Sequence, residues 1–247
     1  MKRTALFSVL ALIVLWAGWT IAYFVIGNEY ILPSFSQTIA ATGAYLVSGT
    51  FYNAFFNTLA RTVIAFVCSA AAGTVLALVS YRAAWARAFL APVVSVLRTV
   101  PTMAIILALL IWTSPAAAPV VVCVLVLFPA WYAAALAGFD EVGREYGDVA
   151  RVYKVPLSRR IFRMYLPLAA PVFLGQAGSL LSMGLKITVS AEVLAKTYRS
   201  LGGMMQEAQA FVEMPELLAL TLVTIILGFA LEGLCAVIAH FAVRWKR

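Results

Sequence analysis

The sequence is dominated by apolar runs, each about 20 residues long, the length at which a helix crosses the roughly 30 Å hydrocarbon core of a bilayer. Of the 247 residues, 64% are hydrophobic and only 11% are charged, whereas a typical soluble domain is about 45–50% apolar and about 25% charged. A single soluble core has no room for this much apolar side chain. The composition therefore excludes a soluble enzyme, a nucleic-acid-binding protein and a disordered scaffold, and predicts an all-α integral membrane protein.

The apolar runs predict six membrane-spanning helices in one transmembrane domain, residues 1–247. The first run is longer than the apolar core of a signal peptide, so we interpret it as an uncleaved first helix. Pro101 lacks a backbone N–H and disfavours helix at the preceding residue, which predicts a break near residues 99–101 within the third run. The predicted spans are 5–26, 59–80, 88–113, 119–138, 167–190 and 217–243.

The net charge of +8 is interpreted from the positions of the basic residues along the chain. If the N-terminus is cytoplasmic, 13 of the 18 Lys and Arg residues fall in cytoplasmic segments, and only Lys196 and Arg199 fall in external ones. The other three, Arg61, Arg98 and Lys186, lie in or beside spans. Cytoplasmic loops collect Lys and Arg. The charge thus predicts cytoplasmic N and C termini, and it does not indicate a nucleic-acid partner.

Residue types that carry catalysis or hold metals are sparse and dispersed. The three cysteines, Cys68, Cys123 and Cys235, lie in apolar runs without CxxC or Cys/His spacing, so they indicate neither a disulfide framework nor a metal site. The sequence contains no GxxxxGK[ST] phosphate-binding loop. We therefore predict no catalytic residue, no metal site and no cofactor bound by this chain.

A charged segment, residues 140–166, separates the fourth and fifth predicted spans. Its apolar residues recur every three or four positions, which is typical of amphipathic helices. Pro156 disfavours helix at Val155, so the pattern predicts two short helices meeting near residues 154–156. Two interpretations remain open on the pattern alone. The segment is either a solvated connector touching anionic lipid headgroups, or a docking element whose apolar face fits a groove on a cytoplasmic partner.

Asp148, Val149 and Ala150, followed at a fixed distance by Leu166-Pro167, have the order and spacing of the EAA loop. The segment thus resembles binding-protein-dependent ABC importer permeases, which have Glu-Ala-Ala at the first three positions. Asp replaces Glu and Val149 replaces the first Ala. Lys154 stands where the family has Gly, and a left-handed Lys costs about 1–2 kcal/mol. The turn is therefore either a strained left-handed position or an ordinary helix end followed by a bend at Pro156.

Other motifs extend the resemblance over nearly the whole chain and are similar to the subgroup for nitrate, sulfonate, taurine and thiamine precursors. These motifs are Leu32-Pro33-Ser34, Arg98-Thr99-Val100-Pro101-Thr102, Ala191-Glu192-Val193, Leu201-Gly202-Gly203 and Met214-Pro215-Glu216-Leu217. The resemblance implies an ABC importer type I-like permease fold in a bacterial cytoplasmic (inner) membrane. It also implies a homodimer of this subunit, an extracytoplasmic solute-binding protein, and two cytoplasmic ABC ATPase subunits that bind ATP and Mg²⁺.

Given the resemblance, we favour the docking interpretation of the charged segment. It would carry closure of the ATPase into the spans as a rigid element seated in the partner's groove. The residues expected to contact the ATPase are Asp148, Val149, Ala150, Tyr153, Lys154, Val155, Pro156 and Leu157.

Exposure of a charged residue to lipid is energetically unfavourable, so charged residues within spans normally face a cavity or a partner. One interpretation places them on the translocation path of a small solute. The alternative is structural: Lys186 pairs with Glu192 or Glu232, or a long side chain reaches the interface. An integral-membrane enzyme or a non-ABC membrane partner subunit is the competing function, but the sequence has no polar catalytic cluster at a span end. The path candidates are Arg98, Pro101, Thr102, Lys186 and Glu192.

Overall fold

The computed structural model describes residues 2–242, and all regular elements in that range are helical. Val243, the last residue of the sixth predicted span, and the tail 244–247 lie outside the described residues. The α-helices are α1 (Lys2–Ile26), α2 (Phe35–Leu46), α3 (Gly49–Arg82), α4 (Ala84–Thr99), α5 (Thr102–Trp112), α6 (Ala118–Val152), α7 (Leu157–Arg160), α8 (Leu166–Ala195), α9 (Leu201–Ala210) and α10 (Met214–Ala242).

Five stretches of helix are long and apolar enough to cross a bilayer: α1, α3, α6, α10 and the continuous stretch Ser158–Ala195. Helices α4 and α5 make a sixth span if they count as one, although they are bent by 98°. The break lies at Val100 and Pro101, both outside the two helices. This is the position at which Pro101 predicts it, because proline cannot continue the hydrogen-bond ladder of α4.

Two helices are longer than the sequence pattern predicts. Helix α3 begins at Gly49, ahead of the predicted span at 59–80, and α6 continues from Ala118 to Val152 without interruption. No proline occurs between Pro129 and Pro156, so nothing stops α6 at the membrane surface. The expectation of two separate short helices in 140–166 is wrong, because the segment consists of the ends of two long helices.

The C-terminal part of the charged segment joins α8 through a turn of π-helix, which is wider than a turn of α-helix. Residues Ile161–Tyr165 form a π-helical turn between α7 and α8, and the Leu166 N–H donates to the carbonyl of Ile161. Pro167 follows directly and has no N–H to donate. The π turn thereby lets the chain pass from α7 into α8 as one continuous rod.

Helices α3, α6 and α8 form the centre of the bundle around buried side chains such as Leu127, Phe139 and Phe173. Polar side chains in this core are paired between helices: the Trp131 Nε1 donates to Thr74 Oγ1 at 2.9 Å, and the Tyr132 hydroxyl donates to Ser80 Oγ at 2.9 Å. Buried polar groups without partners cost about 1–3 kcal/mol. These pairs therefore fix how α3 lies against α6.

Candidate functional site

The turn between α6 and α7 is a tight helix end with one residue in the left-handed region. Lys154 has φ +47°. Its N–H donates to the carbonyl of Arg151 at 3.1 Å, and the Val155 N–H donates to the carbonyl of Ala150 at 3.1 Å. This pair of bonds defines a Schellman motif, in which glycine is the usual left-handed residue. Of the two alternatives for Lys154, the left-handed one is therefore found.

Apolar side chains at this turn point away from the chain. Val149, Val152, Tyr153 and Phe162 are all exposed, and Tyr153 has a relative exposure of 77%. Such a cluster at the end of a helical bundle is typical of an interaction site. Tyr153 and Val149 are thus accessible on the surface, and their contact with an ATPase stays a prediction.

The other predicted docking residues differ in accessibility. Ala150 is only 2% exposed, so its methyl group packs within the chain; the expectation that it contacts a partner is not supported. Asp148 is exposed and forms an ion pair with Arg151 at 3.3 Å, one turn along α6. Val155 is half-buried and Pro156 exposed. The side chain of Leu157 lies outside the part that the structure describes.

Two of the predicted path residues come together between α5 and α8. Thr102 and Lys186 both line a cavity of about 530 Å³, together with Ser190. The remaining lining is apolar: Met103, Ile106, Ile187, Val193 and Leu194. One ammonium group and two hydroxyl groups in an apolar cavity are suited to a small solute with an anionic or hydrogen-bonding group.

A polar stripe follows the whole exposed face of α8. Apart from the adjacent Gly175 and Gln176, its members are spaced three or four residues apart, which places them on one side of the helix. Four of them are polar, although α8 is long and apolar enough to span a membrane. We call this the α8 stripe; its exposed residues are Gly175, Gln176, Ser179, Met183, Lys186 and Ser190.

Arg98 and Pro101 are placed beside, and not within, the lining of this cavity. Pro101 precedes α5 and sets the break between α4 and α5. The Arg98 guanidinium donates to the carbonyl of Pro129 on α6 at 3.1 Å. This bond holds the end of α4 against α6 and provides the polar partner that an arginine in a span requires.

Glu192 does not line the cavity. Its relative exposure is 0%, and its carboxylate is surrounded by donors. Arg61 donates to Oε1 at 2.9 Å, while Thr58 Oγ1 and the Gly202 N–H donate to Oε2 at 2.8 and 3.2 Å. The placement of Glu192 on the path is therefore not supported. The cluster instead ties α3, α8 and α9 together, and Lys186 pairs with neither Glu192 nor Glu232.

Gly202 makes this cluster possible. A Cβ at this position would lie against the Cβ of Glu192, 2.5 Å from the carbonyl oxygen of Val189 and 2.7 Å from the amide nitrogen of Val193. Backbone atoms of a helix cannot move aside as a side-chain tip can. Only glycine lets the start of α9 approach α8 closely enough for its N–H to reach the Glu192 carboxylate.

Residues 69–243 match the sequence family described as "Binding-protein-dependent transport system inner membrane component". The match covers more than half of the chain. The chain belongs to this family. It is therefore a transport subunit of the ABC importer permease class, ATP hydrolysis belongs to a separate ATPase subunit, and the working assembly includes an ATPase and a solute-binding protein.

The permease also resembles a solved structure, that of the MetNI methionine ABC transporter in an inward-facing conformation. The TM-score is 0.68 at 14% sequence identity, over 79% of this chain and 97% of that one. At this identity the likeness shows the fold, which is that of a type I ABC importer permease. A comparison with curated proteins gives no match.

Two parts of the site were missed at the level of sequence. The pairing of Arg61 with Glu192 joins residues 131 positions apart, and no local pattern signals it. The α8 stripe had a detectable signal, since Gln176, Ser179, Lys186 and Ser190 recur on one helical face of an apolar span. A helical projection of the permease's fifth predicted span would have found it.

Proposed function

We propose that two copies of the permease enclose a solute path lined by the α8 stripe. The observation that carries this proposal is the exposure of Lys186, Gln176 and two serines on one face of a membrane-spanning helix. Lys186 lies late in this span, and a charged residue within a span normally faces a cavity or a partner. This face therefore meets water or protein, and not lipid.

A second copy of the permease is the partner that this face fits. Most closed homo-oligomers are two-fold, and a two-fold dimer places the same surface of each copy on both sides of its axis. The two α8 stripes then face each other across the axis. Thr102 and Lys186 line each half of the path, while Pro101 and Arg98 shape the α4–α5 break beside it.

Residues 140–166 act as the coupling segment, in the manner of an EAA loop. The exposed side chains of Val149, Tyr153 and Phe162 enter a groove of the ATPase, and Asp148 and Lys154 lie at its rim. Support comes from the continuity of the helices on both sides of the turn, since only residues 153–156 separate α6 from the α7–α8 rod. Closure of the ATPase thus moves two spans directly.

The solute is an anion of the nitrate, sulfonate or taurine type, or a thiamine precursor. The subgroup motifs of the sequence and the unpaired ammonium of Lys186 in the cavity both favour an anionic group. Arg61, by contrast, is already neutralised by Glu192 at 2.9 Å. Among the cations of the spans in the described part of the chain, Lys186 is therefore the one left to meet the solute.

The permease lies in the bacterial cytoplasmic membrane with both termini inside. The positive-inside distribution of its Lys and Arg residues supports this orientation. ATP and Mg²⁺ bind the two ATPase subunits, and the solute arrives from the extracytoplasmic binding protein. The single transmembrane domain binds no cofactor of its own.

Two linked measurements test this function. A thermal-shift screen of the cognate binding protein with nitrate, alkanesulfonates and thiamine precursors identifies the solute, and a preference for a neutral sugar would contradict the substrate class. Uptake of the solute found in the screen is then measured for Lys186→Gln and Arg98→Gln. We expect the Lys186 variant to lose about tenfold in uptake, and normal uptake by this variant at normal expression would contradict the path. Arg98→Gln measures the α4–α6 contact beside the path.

A further inference from the structure

Within the apolar stretches of the described spans, two residues of opposite charge have no ion-pair partner. Arg61 and Glu192 neutralise each other, and Arg98 donates to a backbone carbonyl. Lys186 on α8 and Glu232 on α10 take part in no ion pair within the described residues. Both side chains are exposed on the surface of the single chain. Exposed charges within spans normally face a cavity or a partner, so one cation and one carboxylate per copy are open to a partner outside it.

Glu232 lies at the same level of the bundle as Ser179 of the α8 stripe. The Ser179 hydroxyl lies 3.4 Å from Glu232 Oε1 and donates to it. The two residues line a cavity of about 220 Å³ between α8 and α10 whose other walls are small or apolar, including Gly175 and Ala236. The cavity supplies one neutral donor to a carboxylate and no cation. It therefore has room and charge for a cationic group from elsewhere.

Lys186 stands about two turns along α8 from the level of Glu232, since the seven residues from Ser179 to Lys186 rise about 10 Å. Helices α8 and α10 run antiparallel, because a Cβ on Gly178 would meet Glu232 while a Cβ on Gly228 would meet Ser182. Helical side chains generally tilt toward the N-terminus of their own helix. A pair between the two residues therefore uses the length of the lysine stem together with a tilt of each side chain toward the other.

We propose that in the homodimer Lys186 of each copy forms an ion pair with Glu232 of the other copy. The inference rests on the proposed two-fold path. A two-fold interface is self-complementary, so a cation and a carboxylate on the same face of each copy generate two equivalent pairs. The pairs lie across the path and close it in the empty transporter. An anionic solute group competes with Glu232 for the Lys186 ammonium, which ties opening of the path to arrival of the solute.

Charge reversal in the permease–ATPase complex tests the pairing. Lys186→Glu or Glu232→Lys alone places like charges in contact, and each is expected to lower the yield of complexes with two permease copies about tenfold, measured by native mass spectrometry. The double variant Lys186→Glu/Glu232→Lys restores the yield to within about twofold of the unmodified chain. Glu207→Lys, an exposed charge reversal away from the stripe, is the matched control and leaves the yield unchanged. Absence of restoration would overturn the pairing.

Cross-linking separates pairing between copies from pairing within one. Two differently tagged chains, one with Lys186→Cys and one with Glu232→Cys, are co-expressed with Cys68, Cys123 and Cys235 replaced by alanine. A short bifunctional thiol reagent is expected to join the two tags. Charge-swap restoration without a cross-link between the tags would overturn pairing between copies. Labelling of the α8 stripe by a water-soluble reagent tests the path itself. If the stripe is labelled but no cross-link forms, the proposed ion pair is contradicted and the proposed function is not.

Discussion

Arg61 and Glu192 are 131 residues apart in the sequence and form a 2.9 Å ion pair inside the bundle. The pair joins α3 to α8, and the Gly202 N–H adds α9 to the same carboxylate at 3.2 Å. Thr58 donates to the carboxylate and accepts from the Leu201 N–H at 2.9 Å. A fully buried carboxylate of α8 is thus supplied with charge and donors by two other elements, α3 and α9, so we assign Glu192 a structural role.

Removing the carboxylate should destabilise the permease strongly. Glu192→Ala leaves the Arg61 guanidinium without a counter-ion and Thr58 without its acceptor, a loss expected at about 3–5 kcal/mol. The measurement is thermal unfolding of the purified permease in detergent. Asp148→Ala, which removes an exposed carboxylate from an exposed pair, is the matched control with no expected change. Equal midpoints for the two variants would contradict the structural role of Glu192.

Gly202 should tolerate no side chain. Gly202→Ala forces a methyl group against backbone atoms of α8 at Val189 and Val193, and we expect a loss of about 3 kcal/mol. Gly175→Ala is the control, because a Cβ there has no neighbour within 4 Å. Thermal unfolding midpoints of the two variants check the prediction. A Gly202 variant as stable as the Gly175 variant would mean that α9 lies farther from α8.

Lys154→Gly should stabilise the permease by about 1 kcal/mol, since it relieves a left-handed residue at φ +47°. The same substitution at Arg151, inside α6, should destabilise by about 1 kcal/mol because glycine is a poor helix former. The thermal unfolding midpoint is expected to rise for Lys154→Gly and to fall for Arg151→Gly. Destabilisation by Lys154→Gly would show that the turn is not held in a Schellman motif.

Tyr153→Asp should abolish co-purification of the ATPase while leaving the permease in the membrane. The side chain is 77% exposed at the α6–α7 turn, so its replacement alters a contact surface and not the core. Tyr198→Asp is the control, since Tyr198 is 78% exposed beyond the opposite end of α8. Retention of the ATPase by Tyr153→Asp would contradict the docking role. Ala150→Asp is a poorer test, because Ala150 is buried.

The sequence predicts the features that local chemistry determines. Apolar run length predicts the membrane-spanning helices, and Pro101 predicts the position of the α4–α5 break, because a missing N–H acts within one turn. The bend near Val155 and Pro156 follows from the same argument. The left-handed state of Lys154 stayed open, since the residue type alone does not choose between a Schellman motif and an ordinary helix end.

Features set by packing between distant elements could not be predicted from local pattern. Glu192 resembles a path residue in sequence, yet Arg61 approaches it from another helix and buries it. Ala150 stands at a motif position expected to meet a partner, but the fold packs its methyl group inside. The length of α6 does not follow from hydropathy, because charged residues end the apolar run but do not end the helix, which continues to Val152.

Labelling of cysteines along α8 tests the central claim, that the α8 stripe faces water in a membrane-spanning helix. Ser179→Cys and Ser190→Cys are compared with Val67→Cys and Val75→Cys, two exposed apolar positions of α3, with the three native cysteines replaced by alanine. A charged, water-soluble thiol reagent is applied to the assembled transporter in membranes. We predict that the two α8 cysteines react and the two α3 cysteines do not. Unreactive α8 cysteines, or equal reaction at all four positions, would contradict the account.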